Sequence, residues 1–231
     1  MDKEYAEYLL AKTRRDYDLI SQEFSASRNR LWEGLYKFSD YLEDGDRILD
    51  SGCGNGRLIE LFKGLNVDYL GIDSSSRMIE TAKEKYPGYK FEVADALSLH
   101  FVKNSFDKIF SIATFHHIPS EEFRLQFLKE AKRVLKPGGF LILTVWKLPF
   151  LKENYLKLKF LILGLLNLSK LDSGDVLIPW GRKVDRYCHC FTKKELIKLI
   201  EKSGFGLRDA GIMEKRGSKY SNIYIIAKKP S

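Results

Sequence analysis

The sequence predicts an α/β fold: a doubly wound, mostly parallel sheet of seven strands, with a helical cap before it and an insertion after the fifth strand. Three features carry that expectation. Between residues 47 and 146, five apolar runs alternate with amphipathic stretches, the rhythm of β-α units. The connections are short, so successive strands lie parallel with helices on both faces. A turn bearing Gly52, Gly54 and Gly56 follows the first run, at the end of the sheet where such folds take ligands.

Residues 1–46 read as the helical cap. Tyr17, Ile20 and Phe24 form one apolar stripe, Leu31, Leu35, Phe38 and Leu42 a second, and Gly45 the stop. Residues 47–231 follow as the main domain, one structural unit with the cap. Strands are expected at 47–50, 68–73, 91–95, 106–113 and 140–146. One helix opens at Leu58–Phe62, a second spans Ser76–Lys85 before Pro87, and a third spans Glu121–Leu135 before Pro137-Gly138-Gly139. Residues 148–185 break the rhythm with a Lys/Leu-rich stretch and a loop. Within it, 147–171 is both basic and apolar; a membrane-surface helix and a partner-binding helix are open readings, and a lid over the domain is the expected one. Thr192 and Glu195 fit a capping box for a helix ending at Gly204. Strands near Leu207–Met213 and Asn222–Ala227 complete the seven.

Composition narrows the class. With 44% hydrophobic and 30% charged residues, the chain is neither disordered nor fibrous. Cys53, Cys188 and Cys190 are too few for a disulfide framework and point to a reducing, cytoplasmic compartment. The first residues lack a signal-peptide pattern. The aliphatic run Phe160–Leu166 falls far short of the roughly 20 residues a membrane span needs. The net charge of +8 is unevenly placed: −4 over residues 1–46, +2 over 47–146 and +10 over 147–231. A solvated lysine-rich face is one reading; a face for a polyanion, nucleic acid before membrane, is the other.

The glycine turn, Asp50-Ser-Gly52-Cys53-Gly54-Asn-Gly56, lets backbone approach a ligand closely. It is not the dinucleotide fingerprint, which would need glycine where Arg57 stands. Asp50, ahead of the glycines, suits a cationic amine better than a pyrophosphate. Asp73 ends the second strand 21 residues after Gly52, the position of a ribose-binding carboxylate. Asp95-Ala96 ends the third, where a side chain and a backbone amide can frame an adenine. Any one of these carboxylates could simply cap a helix; three at successive strand ends point to a ligand.

With Leu135-Lys-Pro-Gly-Gly139 before strand five, these motifs resemble those of class I S-adenosylmethionine-dependent methyltransferases over roughly residues 47–146. The resemblance implies a Rossmann-like fold and S-adenosylmethionine as cofactor, held by Asp50, Gly52, Cys53, Gly54, Asp73, Ser74, Asp95, Ala96 and Ser111. The flanks resemble one family within that class, the tRNA wobble-uridine methyltransferases that esterify 5-carboxymethyluridine. The matching stretches are Phe24-Ser-Ala-Ser-Arg28-Asn-Arg-Leu-Trp32, the pair His116-His117, Trp146, Asp175-Val-Leu-Ile-Pro-Trp180, and Arg186-Tyr187-Cys188-His189-Cys-Phe191. Leu31, Glu33 and Cys188 depart from the family pattern, and Cys188 puts the wall beside the substrate in question. The resemblance implies tRNA as partner and a small activator protein, as eukaryotic relatives use.

A carboxylate acceptor, with a pKa near 4, needs no general base; it needs a clamp. Arginine supplies a planar, two-pronged one, and Arg28 and Arg186 are the candidates. His116 and His189 join them as catalytic candidates, and His117, Trp146 and Tyr187 as substrate contacts; packed core histidines and tryptophans are the competing reading. Cys188-His189-Cys190 lacks a second ligand pair, so no metal is expected. Two other functions stay open: a small-molecule or quinone and lipid-precursor methyltransferase, and a catalytically silent cofactor-binding subunit, against which the intact glycine loop argues.

Overall fold

A computed structural model describes residues 1–28, 30–214 and 220–231; Asn29 of the Phe24–Trp32 motif and residues 215–219 lie outside that set. Strands β1 (Arg47–Ser51), β2 (Asp68–Asp73), β3 (Lys90–Val93), β4 (Phe106–Ile112), β5 (Leu135–Lys147), β8 (Gly206–Glu214) and β9 (Ser221–Lys228) form one sheet in the order β3-β2-β1-β4-β5-β9-β8. The first five run parallel, and β9 runs antiparallel between β5 and β8. This is the seven-stranded, mostly parallel sheet the sequence predicts.

Alternation along β5 builds two cores. Leu141, Leu143 and Val145 pack with helices α3 (Glu121–Val134) and α5 (Lys193–Lys202), through Phe127, Leu128, Leu196 and Ile200. Ile142 faces the other layer, where Phe38, Phe62, Ile79 and Ala82 collect. That layer holds helix α2 (Ser76–Lys85) and two 3-10 helices, Glu33–Tyr41 and Arg57–Phe62. Both 3-10 segments replace expected α-helical turns. The first contains Gly34 and a Ser39 hydroxyl that bonds the Tyr36 carbonyl, local competition that weakens an α-helix. The second starts directly from left-handed Gly56 without a side-chain cap and ends after six residues.

Helix α1 (Lys3–Ala26) crosses the carboxyl ends of the strands. Asp18 fastens it to the start of α2, accepting from Ser75 Oγ at 2.7 Å and Arg77 N–H at 3.2 Å, where a helix N-terminus favours negative charge. Lys12 donates to the Asp185 carbonyl at 2.5 Å, and Lys183 pairs with Glu23. The helix is thereby tied to both α2 and the insertion.

The insertion is more structured than a loop. It holds helix α4 (Phe150–Leu165) and an antiparallel hairpin, β6 (Asp175–Trp180) with β7 (Val184–His189). Leu148, Leu156, Val176, Ile178, Cys188 and Cys190 form its own small core. The expected lid is not what α4 forms. It packs through Leu156 and Phe160, points Leu151, Leu158 and Leu165 to solvent, and lines no part of the cavity described below. Among the described residues no helix is long and apolar enough to cross a membrane.

The α3 layer gives a direct stability test. Leu128 is fully buried, so Leu128→Ala is expected to cost about 2–5 kcal/mol from lost burial and a residual cavity, read by chemical denaturation. A loss under 1 kcal/mol would mean α3 is not packed as described.

Candidate active site

A cavity lies at the carboxyl ends of the parallel strands, floored by the glycine turn and walled by α1 through Leu10, Thr13, Tyr17 and Phe24. The turn's geometry depends on glycine. Gly52 has φ +81°, and a Cβ there would sit 2.3 Å from the Thr114 side chain, whose hydroxyl donates to the Gly52 carbonyl at 3.1 Å. The backbone of β1 and the loop after β4 therefore touch at this point.

The three strand-end carboxylates all line this cavity, each in a different environment. Asp50 is 1% exposed. Burial pushes its carboxyl up to about 7, although Tyr69 O–H donates to it at 2.9 Å. Asp73 accepts from Gly54 N–H at 3.0 Å and Ser75 N–H at 2.9 Å, so it fixes the glycine turn and the start of α2 together; burial raises its carboxyl too, against those two bonds. Each oxygen keeps a lone pair for hydroxyl donors. Asp95 is exposed and caps Leu97 N–H with one oxygen at 2.8 Å, leaving the other free beside Ala96. Gly54, Cys53 and Ser74 also line the cavity, and burial raises the Cys53 thiol, which keeps it unreactive.

The opposite wall presents Arg28, His117 and Trp146 to the cavity, and Arg186 and Trp180 pack against these residues without lining it themselves. Arg186 is 5% exposed, yet its Nε and Nη1 have no hydrogen-bond partner. Its guanidinium lies 4.9 Å from the Trp146 ring centre and 4.7 Å from that of Trp180. Arg28 approaches the same Trp180 ring at 5.9 Å and Phe24 at 5.6 Å, and its guanidinium donates to the Ser27 carbonyl at 3.3 Å. Burial and the charge of Arg186 lower the Arg28 pKa. Among the described residues neither arginine is ion-paired with a carboxylate. Beside them, His117 Nδ1 lies 2.6 Å from the Tyr187 carbonyl and Nε2 2.8 Å from the Tyr17 hydroxyl. A carbonyl only accepts, so Nδ1 carries the proton and Tyr17 O–H donates to Nε2. Burial lowers His117 to about 4.

Four expected contacts belong elsewhere. Ser111 is fully buried in β4 with an unbonded hydroxyl, and its neighbours Ile112 and Ala113 line the cavity instead. His116 is fully buried behind the wall, its ring 4.5 Å from Trp146 and 4.2 Å from His117. Burial holds it well below the usual histidine range, so it braces the two rings in neutral form. Tyr187 and His189 lie in a buried network rather than on the cavity. Asp175 accepts from the Tyr187 hydroxyl at 2.7 Å and lies 2.6 Å from His189 Nδ1, while His189 Nε2 meets Glu195 at 2.7 Å. Both His189 nitrogens are spent, so it touches no substrate. Conversely, Tyr17, Asn55, Arg57 and Thr114 line the cavity without having been singled out as ligands. Arg57 was visible only as a missing glycine; Tyr17 lies on a helix 100 residues from its partner and left no local signal.

Comparison with known proteins identifies the class. A family model described as a methyltransferase domain matches residues 49–143. The chain is 35% identical over 208 residues to an Encephalitozoon cuniculi protein named only as a methyltransferase, covering 87% of this chain and 90% of that one. It is 39% identical over 134 residues to a tRNA (carboxymethyluridine(34)-5-O)-methyltransferase of Arabidopsis thaliana, covering 57% of this chain but 32% of the relative, so this chain spans about a third of that protein's length. A crystal structure of an S-adenosylmethionine-dependent methyltransferase from Methanosarcina mazei superposes with a TM-score of 0.72 at 27% identity, covering 87% and 99% of the two chains. The chain belongs to the class I S-adenosylmethionine-dependent methyltransferases. Its cofactor is S-adenosylmethionine, which supplies an electrophilic methyl group on a sulfonium.

The residues fit that group. A buried carboxylate, Asp50, suits the amine of the methionyl part; Asp73 has lone pairs for the ribose hydroxyls; Asp95 and Ala96 flank room for the base. Since protonation of Asp50 removes its attraction for a cationic amine, S-adenosylmethionine affinity is expected to fall about tenfold per pH unit below about 7. Asp50→Asn should bind weakly at every pH and flatten the profile. Calorimetry from pH 5.5 to 7.5 measures this, and a pH-independent wild-type Kd would contradict it.

Proposed function

We propose that the chain methylates the carboxylate of 5-carboxymethyluridine at the wobble position of tRNA. One observation carries the reading: the Arg186 guanidinium is buried, stacked between two tryptophans, and has two unbonded donor atoms with Arg28 beside it. A buried cation without an anion is costly, and a carboxylate is the group with which arginine donors form their strong charge-assisted bonds. Trp146 and Trp180 offer faces for a nucleobase as well as for the guanidinium. The sequence likeness to the Arabidopsis enzyme supports the same acceptor.

The chemistry is consistent. A carboxylate oxygen takes the methyl group in an in-line displacement, and the bonding pair of the broken C–S bond returns to sulfur. No proton moves. That suits a wall whose histidines are neutral and whose accessible His117 nitrogens are both occupied. Arg28 and Arg186 hold the acceptor, α1 and the glycine turn hold the donor, and alignment supplies the rate. The proposal includes a small activator protein as a second partner; tRNA methylation by the chain alone would remove that part.

Arg186→Gln is expected to lower single-turnover methylation of carboxymethyluridine-containing tRNA on the order of a hundredfold or more, since the acceptor loses its countercharge. Arg186→Lys should cost about tenfold, because the charge remains but the fork is lost. The melting temperature should change little in Arg186→Gln, since the lost ring contacts and Tyr17 bond are offset by removal of a buried unpaired charge. The wild-type rate at saturating cofactor should stay nearly flat from pH 6 to 9. Full activity in Arg186→Gln, or a rate rising tenfold per pH unit, would refute the carboxylate acceptor and favour a small molecule bearing a hydroxyl or amine.

A further inference from the structure

The basic excess of the chain does not gather at the catalytic cavity. At the other end of the sheet, where β5 begins and β9 ends, one cleft is lined by Lys103, Lys129, Lys132, Arg133, Lys202 and Lys229, with Leu125 and Ser203 between them. No carboxylate lines it. Arg133 is balanced nearby by Glu130 at 2.7 Å, and Lys202 by Glu121 at 2.6 Å. Of the other four, Lys129 shares the charge of Glu130 with Arg133, and Lys103, Lys132 and Lys229 form no ion pair among the described residues. Lys132 donates to the neutral Gly204 carbonyl at 2.7 Å, and Lys229 to the Leu135 carbonyl at 2.6 Å and Asn104 Oδ1 at 2.8 Å. Lys103 and Lys129 are exposed. Burial and the charges of Lys103 and Lys132 push the Lys229 ammonium below the usual lysine range. Backbone carbonyls thus pin two lysines within reach of like charges, an arrangement that repels itself unless an anion sits in the cleft.

The cleft is not isolated. A shallow groove along α3 shares Leu125, Lys129 and Arg133 with it and continues past Gln126 and Ser98 to Leu97, with the carboxylate of Glu130 held on Arg133 and Leu99 N–H along its side, and Leu97 also lines the catalytic cavity. Measured along β5 from Leu135 to Trp146, the two ends lie roughly 35 Å apart at about 3.3 Å per residue. A nucleic-acid stem covers such a distance; a mononucleotide does not.

We propose that this cleft and groove bind the sugar-phosphate backbone of the RNA substrate at a distance from the nucleotide being methylated. The inference rests on the tRNA reading above and adds a second anchoring point to it. Phosphates bring countercharge to Lys103, Lys129, Lys132 and Lys229, while Gln126 and Ser98 offer polar groups between the anchor and the cavity and Glu130 is neutralised by Arg133. Free polyphosphate offers the same charge chemistry, but it gives no account of a groove that leads to the methylation site.

The test is the double variant Lys103→Glu/Lys129→Glu, which spares the carbonyl-bound lysines and so the fold. The KM for tRNA at 50 mM salt is expected to rise on the order of tenfold, and the salt slope of tRNA affinity to become shallower by about 1–2. The kcat, S-adenosylmethionine affinity and melting temperature should stay unchanged. Lys83→Glu/Lys90→Glu, the same charge change on α2 and β3, should leave the tRNA KM near wild type. Unchanged KM and salt slope in the cleft variant, with wild type methylating tRNA, would overturn the cleft and leave the function standing. Wild type that neither binds nor methylates tRNA would overturn both. Tight tripolyphosphate binding that the cleft variant loses, with its tRNA KM unchanged, would assign the cleft to a free polyphosphate and also overturn the RNA site.

Discussion

The cationic wall of the site depends on one carboxylate that never touches the cavity. Asp175 is 1% exposed and receives the Tyr187 hydroxyl, His189 Nδ1, the Arg124 guanidinium at 3.4 Å and the Asp172 N–H at 3.1 Å. Arg124 comes from α3, and His189 leads on to Glu195 at the start of α5. One oxygen pair therefore locks the β6–β7 hairpin onto two helices of the main domain. Removing it would strand a buried guanidinium, a loss of order 3–5 kcal/mol. The consequence for the site is positional. Arg186 and Tyr187 are neighbours on β7, so the network that clamps the Tyr187 side chain also sets where the Arg186 guanidinium and the Tyr187 carbonyl stand.

From that carbonyl a directed chain of hydrogen bonds runs back to the cavity. The Tyr187 carbonyl accepts from His117 Nδ1–H, His117 Nε2 accepts from Tyr17 O–H, and Tyr17 in turn interacts with Arg186. Its two ends, a carbonyl and a guanidinium, can only accept and only donate respectively, which fixes the direction of every bond between them. Burial raises Tyr17 to about 12 and lowers His117 to about 4, so neither changes protonation across the physiological range. The chain orients; it does not relay protons. A histidine pair beside an acceptor suggests base catalysis in a sequence, whereas here it holds a tyrosine and a tryptophan in place.

What could be read in advance followed the range of the interactions. Asp50, Asp73 and Asp95 were legible because each sits at a strand end next to a turn, and strand, turn and helix all leave local signals. Asp73 bonds Ser75, two residues on, and Gly54 in the adjacent turn. The β6–β7 hairpin was opaque for the converse reason. Pro179 and the mixed polarity of Asp175–Trp180 hide the alternation of a strand, and its anchors, Arg124 and His117, lie 51 and 70 residues from their partners. The Arg186-Tyr187-Cys188-His189 motif was visible as a motif, but its division of labour was not. Alternation sends Arg186 to the cavity side and leaves His189 between Asp175 and Glu195, which only the pairing partner and the packed helices decide. The basic cleft was opaque in the same way: Lys202 and Lys229 are distant in sequence from Lys103 and Lys129, and only the fold gathers them.

The cavity carries the buried carboxylate of Asp50 on one side and Arg28 on the other, with the buried Arg186 guanidinium behind the Trp146 ring, and on the proposed function that polarity bears on specificity. Asp50 is raised to about 7 because burial, with the charge of Asp73, outweighs its bond from Tyr69 and the charge of Arg57, while Arg186 forms no ion pair with a carboxylate among the described residues and leaves two donor atoms unbonded. On the proposed function each is stabilised by a ligand group of opposite sign, so the cationic donor and a carboxylate acceptor would be drawn to opposite sides. The two ligands thereby meet in one orientation. A neutral acceptor of the same shape would fill the aromatic slot but leave Arg186 desolvated and unpaired. Sites whose buried polar groups are left unsatisfied by an analogue reject it far more strongly than sites that only measure size. On this electrostatic ground, selection against a neutral base resides mainly in the Arg186 pair of tryptophans and not in the glycine turn, which binds the same donor whatever the acceptor.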